Sequence, residues 1–212
     1  MVTSLKPALD FYRKAKSFVD LAGFADEVIW QESRKFLDFT EPDFLCEAAW
    51  VILCSGFREA VVRKSFNYIS LCFCDWESSS SIVENSNLCR TTALASFKNH
   101  RKIDAIISIA YHIDQIGFEQ FRSIVCGNPI EQLQVLPFIG PITSWHLGKN
   151  LGLEVAKPDR HLIKIAQMLD FSDPHILCEN IADATGDAVS TVDIVLWRFA
   201  ASSDEWKQLT RT

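Results

Sequence analysis

The chain has 212 residues, 48% of them hydrophobic, a formal net charge of −6 and a pI of about 5.4. That is enough apolar material for one large domain or two small ones. The acidic balance excludes nucleic-acid binding through a global positive field, so any such binding must rest on a local patch.

Residues 1–39 read as two helices broken at Gly23, anchored by Leu21, Phe24, Val28 and Phe36. Thr40-Glu41-Pro42-Asp43 is a stop-and-start signal with Asp43 as the cap. In the following run Leu45, Ala48, Ala49 and Ile52 recur at helical spacing, and this helix ends at Ser55-Gly56. Arg58 to Ile69 is a further helix, with Val61, Val62 and Phe66 inward and Arg58, Arg63 and Lys64 outward. Cys72 to Ser81 reads as a connection whose serines are exposed. The basic segment Phe97 to Lys102 opens a helix in which Ile103, Ile106, Ile107 and Ala110 share a face. Phe118 to Val125 is short and helical, and Cys126 to Pro129 begins a helical hairpin over 128–152. Leu162, Ile165, Ala166 and Leu169 mark one later helix, Asp173-Pro174 starts another, and Val192, Val195, Leu196 and Phe199 mark the last. No β alternation of useful length occurs, so the class is all-α.

Nothing near Met1 has the apolar run of a signal peptide, and no stretch reaches the length of a membrane span. A cytoplasmic, nucleoid-associated protein is expected, with no membrane partner. The seven cysteines are odd in number and scattered through apolar segments, which fits reduced thiols. Cys72 and Cys74 lack a second pair to complete a zinc site, and no metal is expected. The charge is uneven. Between 170 and 193 there are six acids and no Lys or Arg, whereas 140–169 holds Lys149, Lys157, Arg160 and Lys164 against Glu154 and Asp159.

The turn Leu136 to Thr143 reads LPFIGPIT. Gly140 is suited to the positive φ of a tight turn, Pro137 and Pro141 stiffen its ends, and Pro141 suits a first helical turn. The N–H groups of such a helix start can bind phosphate. This stretch resembles the helix-hairpin-helix DNA glycosylases, the superfamily that includes endonuclease III and the alkyladenine and adenine-mismatch glycosylases. Their pattern is Leu-Pro-Gly-Val-Gly, two variable positions and Thr-Ala, then a Leu-Gly and a Val/Pro-Asp. Leu136, Pro137, Ile139, Gly140, Thr143, Leu151, Gly152, Pro158 and Asp159 stand in matching places. Phe138 replaces the first glycine, Ser144 the alanine, and Ile142 the lysine of lyase-competent members. A weaker likeness runs from Phe44 to Leu169.

The resemblance implies a two-lobed helical fold. One lobe is a barrel over 40–153 containing the hairpin; the other combines 1–39 with 154–212, and the catalytic Asp159 lies in the interlobe cleft. It implies base-excision repair: hydrolysis of the N-glycosidic bond of a damaged, mismatched or modified base, leaving an abasic site. The partner would be double-stranded DNA with an extruded base, bound by a monomer. Backbone N–H groups of Ile139, Gly140, Ile142 and Thr143 would face phosphates, with Lys149 and Arg160 nearby. No cofactor is required. A monovalent cation at the hairpin carbonyls carries over from the family, and an iron–sulfur cluster does not, because only Cys178 follows Asp159.

Each assignment has a plainer counterpart. Asp159 also reads as a helix N-cap, a role compatible with catalysis. The carboxylate suits the chemistry, since positive charge builds on deoxyribose as the base leaves. Isoleucine at 142 cannot form a Schiff base, which predicts a monofunctional enzyme without lyase activity. Lys149 and Lys157 otherwise read as surface lysines or phosphate contacts. Phe57 fits a wedge that fills the gap left by a flipped base, and equally a core phenylalanine. Trp30, Trp50 and Trp145 are aromatic candidates for the base pocket and equally for core packing, and Gln31 and Glu32 can read a base edge. Two other functions stay open: an inactive helix-hairpin-helix DNA-binding module, and an all-α protein-interaction domain using the acidic 170–193 face.

Overall fold

A computed structural model describes residues 5–209; the expected lobe ends at 1–4 and 210–212 lie outside the described residues. Every regular element in the described residues is helical. Contacts divide the chain into two compact units. One joins the segment ending at Lys35 to the segment beginning at Gly152; the other is Phe36–Leu151. No helix among the described residues is long and apolar enough to cross a membrane.

The first unit contains α1 (Leu5–Leu21), α2 (Ala25–Ser33), α11 (Arg160–Met168), α12 (Pro174–Thr185), α13 (Val189–Ser202) and α14 (Asp204–Leu209). Helix α13 is central and packs against α1, α2, α11 and α12. Its apolar face, Val192, Val195, Leu196 and Phe199, joins Leu162, Ile165 and Ala166 of α11 in one buried cluster. The same helix buries Arg198, which donates to Glu27 through Nε at 2.9 Å and lies over the rings of Phe24 and Trp197. Leu21, expected as an anchor, is exposed at the end of α1, just before Gly23 turns the chain at a φ of 80°.

The second unit contains α3 (Glu41–Cys54), α4 (Glu59–Cys72), α5 (Ser79–Glu84), α6 (Ser86–Ser96), α7 (His100–Ile116), α8 (Phe118–Gly127), α9 (Pro129–Gln134) and α10 (Pro141–Asn150). Helix α3 is apolar nearly all round and lies against α4, α7 and α10. Its cap is Thr40, not Asp43. Asp43 N–H donates to Thr40 Oγ1 at 3.3 Å, and the Asp43 carboxylate accepts from Thr40 N–H at 3.0 Å. Thr40→Ala is expected to cost about 1 kcal/mol, lowering a thermal melt by about 2–4 °C for a chain of this size.

The serine stretch is not a loose connection. Ser78 caps α5, and buried Ser79 donates its N–H to Glu41 Oε1 at 2.8 Å. Serine favours helix starts because its hydroxyl accepts from the first turn. Val61 points outward, while Val62, one position on, fills the core. All seven cysteines are free thiols.

Candidate functional site

The hairpin lies in the second unit as far as Leu151, and Gly152, its expected last residue, opens the later segment of the first unit. Helix α9 runs into the turn, and α10 leaves it with Pro141 at its start. The left-handed residue of the turn is Phe138, with a φ of 64°; Gly140 is extended at −102°. The left-handed conformation falls two residues before Gly140, on a bulky side chain, at the position where the resembled sequence pattern has a glycine. Holding a bulky residue so costs about 1–3 kcal/mol, which the surrounding turn must offset. Phe138 is 37% exposed, and the Arg101 guanidinium sits 5.6 Å from its ring centroid.

The donors of this turn face inward to a degree the sequence did not reveal. Ile139 N–H donates to Leu136 O at 3.1 Å, and its side chain is buried. Gly140 N–H donates to Thr143 Oγ1 at 2.6 Å, whose own proton is shared between Gly140 O and Phe138 O at 3.3 and 3.4 Å. Pro141 has no N–H. Of the four hairpin positions expected to present N–H groups to phosphate, Ile142 and Thr143 open α10, where first-turn N–H groups lack helical acceptors. The Ile142 side chain is 48% exposed. Ser144, in place of alanine, is buried and satisfies its hydroxyl on Pro141 O at 3.2 Å.

Lys149 departs from its expected role. Only 3% of it is accessible, so its ammonium does not reach out to a phosphate. It belongs to the buried end of α10, where Asn150 donates to Glu47 Oε2 at 2.9 Å.

Phe57 follows Gly56, whose φ of 74° turns the chain away from α3. The ring is 45% exposed, too much for a core phenylalanine, and leans on Phe97 at 5.3 Å. Beneath it is Lys102, buried in the first turn of α7. Its ammonium donates to Ile52 O at 2.6 Å, Leu53 O at 2.8 Å and Ser55 O at 2.5 Å, and lies 4.7 Å from the Phe57 ring centroid. One amine thus closes the carbonyl end of α3 and supports the loop that carries Phe57. Burial pushes that amine down to about 8; the carbonyls and the negative end of the helix pull the other way.

Asp159 belongs to the first unit. It caps α11, with Oδ1 accepting from His161 N–H at 2.9 Å and Leu162 N–H at 3.1 Å. Oδ2 lies 3.7 Å from Lys157 Nζ, and the side chain is 13% exposed. The carboxylate therefore has one oxygen fixed by the cap and one outside it. Burial holds the His161 imidazole below its ordinary pKa, against the opposing pull of Asp159. Arg160 is exposed beside it.

The loop leading to Asp159 is pinned at three points. Glu154 accepts from Ser190 N–H at 3.1 Å, at the start of α13. Ala156 N–H donates to His175 Nδ1 at 3.2 Å. Lys157 N–H donates to Asp193 Oδ1 at 2.7 Å. Asp193 is only 2% exposed. Counted by charge it belongs to the acidic 170–193 run, but the helical period places it with Val189 and Leu196 on the inward face of α13, and that signal was available in the sequence.

The base-pocket candidates divide between the units. Trp30 is 38% exposed beside Arg34 at 5.2 Å, and Gln31 is buried in the same helix. Trp50 packs edge-on to Phe66 at 5.0 Å with Arg63 over its ring at 5.4 Å, and Trp145 is half-buried in α10.

No family model and no curated protein matches the sequence. The fold does have counterparts: it is the all-helical fold of DNA glycosylases. The chain is similar to the crystal structure of the 8-oxoguanine DNA glycosylase of Thermotoga maritima, with a TM-score of 0.61 at 15% identity over 92% of this chain and 97% of that one. It is also similar to the 8-oxoguanine glycosylase/lyase of Methanocaldococcus jannaschii, solved with DNA containing 8-oxoguanine, with a TM-score of 0.59 at 16% identity over 91% of this chain and 98% of that one.

Proposed function

We propose that the chain is a base-excision DNA glycosylase that hydrolyses the bond between deoxyribose and a damaged, mismatched or modified base. The observation that carries this reading is the Asp159 carboxylate, one oxygen locked by two helix N–H groups and the other left outside the cap, in a chain with the helical glycosylase fold.

As the C1′–N bond breaks, its electron pair leaves with the base and positive charge builds on the sugar. Asp159 Oδ2 stabilises that charge and orients the water that adds to C1′. The proton released by the water passes to the departing base, so no metal or redox partner enters the balance. The target base must leave the stack to react. Phe57, exposed and supported from below, fills the space it vacates. Leu136 O accepts a single N–H bond and keeps a lone pair, so it would be a ligand for a monovalent cation that offsets phosphate charge at the hairpin.

With Ile142 at the lysine position, the reading is a monofunctional enzyme. Both similar structures are named for 8-oxoguanine, which makes that base the first to test. Duplexes carrying 8-oxoguanine and a panel of alkylated, mismatched and deaminated bases are incubated with the protein, with and without alkali. Strand breaks that appear only after alkali are expected, and borohydride should trap no protein–DNA adduct. Breaks without alkali, together with a trapped adduct, would overturn the monofunctional assignment.

A further inference from the structure

We infer that Arg101, seated on the ring of Phe138, is a contact for the DNA phosphate backbone, supplying positive charge at a hairpin turn in which the Ile139 and Gly140 N–H groups are turned inward. The inference rests on the DNA-binding part of the reading above and adds a contact that the hairpin pattern does not contain.

Three observations meet at this place, all within the second unit. The first is the loss of donors. Across 139–141, Ile139 N–H and Gly140 N–H are satisfied inside the turn, and Pro141 has none. The second is the ring. Phe138 is held in a left-handed conformation and stays exposed, an arrangement that gives the core nothing. The third is unpaired charge. Arg101 and Lys98 are exposed at the start of α7, and no acidic side chain pairs with either among the described residues. The neighbouring acid, Asp104, is already engaged by Arg90 at 2.6 Å.

The geometry defines the ligand. A guanidinium lying against an aromatic face keeps its N–H edges free and loses little freedom when it meets a planar or tetrahedral oxyanion. Phosphate oxygens accept such a fork in pairs. The first turn of α7 also joins the two exposed rings of this unit, since Arg101 touches Phe138 and Lys102, next in sequence, touches Phe57. A duplex engaged by Phe57 would therefore meet Arg101 along the same edge.

The test is binding to an undamaged duplex by fluorescence anisotropy over a series of salt concentrations, so that catalysis plays no part. Wild type, Arg101→Met, Phe138→Gly and the double variant are compared, with melting temperatures as folding controls. Removing one phosphate contact should reduce the slope of log affinity against log salt by about 0.9. Phe138→Gly should weaken binding about threefold when Arg101 is present, through the lost ring contact, and not at all in the Arg101→Met background. An unchanged slope in Arg101→Met, or an equal effect of Phe138→Gly in both backgrounds, would overturn the inference while leaving base excision by Asp159 untouched. Absence of salt-dependent binding by the wild type would overturn it together with the DNA reading.

Discussion

Asp159→Asn is expected to lower single-turnover base release by about a hundred- to ten-thousand-fold, the range removed with a positioned catalytic group, while leaving the fold and DNA affinity intact. The cap makes this substitution unusually informative. Oδ1 accepts from His161 and Leu162, and an asparagine oxygen caps a helix about as well as an aspartate oxygen. Only the negative charge on the second oxygen is lost, and that charge is what the proposed transition state needs. Asp159→Ala removes cap and charge together, so it should also lose about 1 kcal/mol of stability. If Asp159→Asn releases base at the wild-type rate, the carboxylate is a cap and nothing more. A variant that loses activity and melts early would instead point to a fold defect.

The largest stability effect is expected at Lys102. Replacing it with methionine keeps most of the volume but takes the ammonium from Ile52 O, which keeps Ser55 N–H at 3.3 Å, and leaves Leu53 O and Ser55 O without that donor. Buried acceptors left without a donor cost about 1–3 kcal/mol each. Water can reach part of the Ser55 end, so a total near 3 kcal/mol is expected, an order-of-magnitude figure from the same principle. That corresponds to a fall of about 6–12 °C in the melting temperature. Urea titration at neutral pH reads the loss directly, and an unchanged midpoint would mean that solvent caps α3 unaided. The Phe57 loop should loosen as well, because its ring loses the ammonium beneath it.

Much of this architecture is legible in the sequence, and the reasons are local. Leu45, Ala48, Ala49 and Ile52 declare α3 by spacing alone, and all four are buried. The same holds for Ile103, Ile106, Ile107 and Ala110 in α7. Helices α5 and α6 escape notice because, Ile82 apart, their buried faces are built from Ser79, Cys89 and Ala93, small or polar residues that give little periodic contrast. Asp159 is readable as a capping residue from Pro158 and the apolar period that follows.

The site is less legible wherever its geometry depends on backbone that residue type does not dictate. Gly140 invites the left-handed assignment, yet the turn places that conformation two residues earlier, on Phe138. Lys149 and Asp193 look like surface charges when counted and prove to be buried when placed on their helices. The pinning of residues 154–157 by Ser190, His175 and Asp193 spans up to 36 positions, beyond any local pattern.

Base release from DNA through Asp159 is the proposal on which the roles of Phe57 and the hairpin depend. The most direct measurement is mass spectrometry of the free base liberated from damaged duplexes by the wild type and by Asp159→Asn, at equal concentration and confirmed fold. A free modified base is expected from the wild-type reaction and none above background from the variant. Equal release by both proteins, or DNA binding with no base released from any duplex, would contradict it.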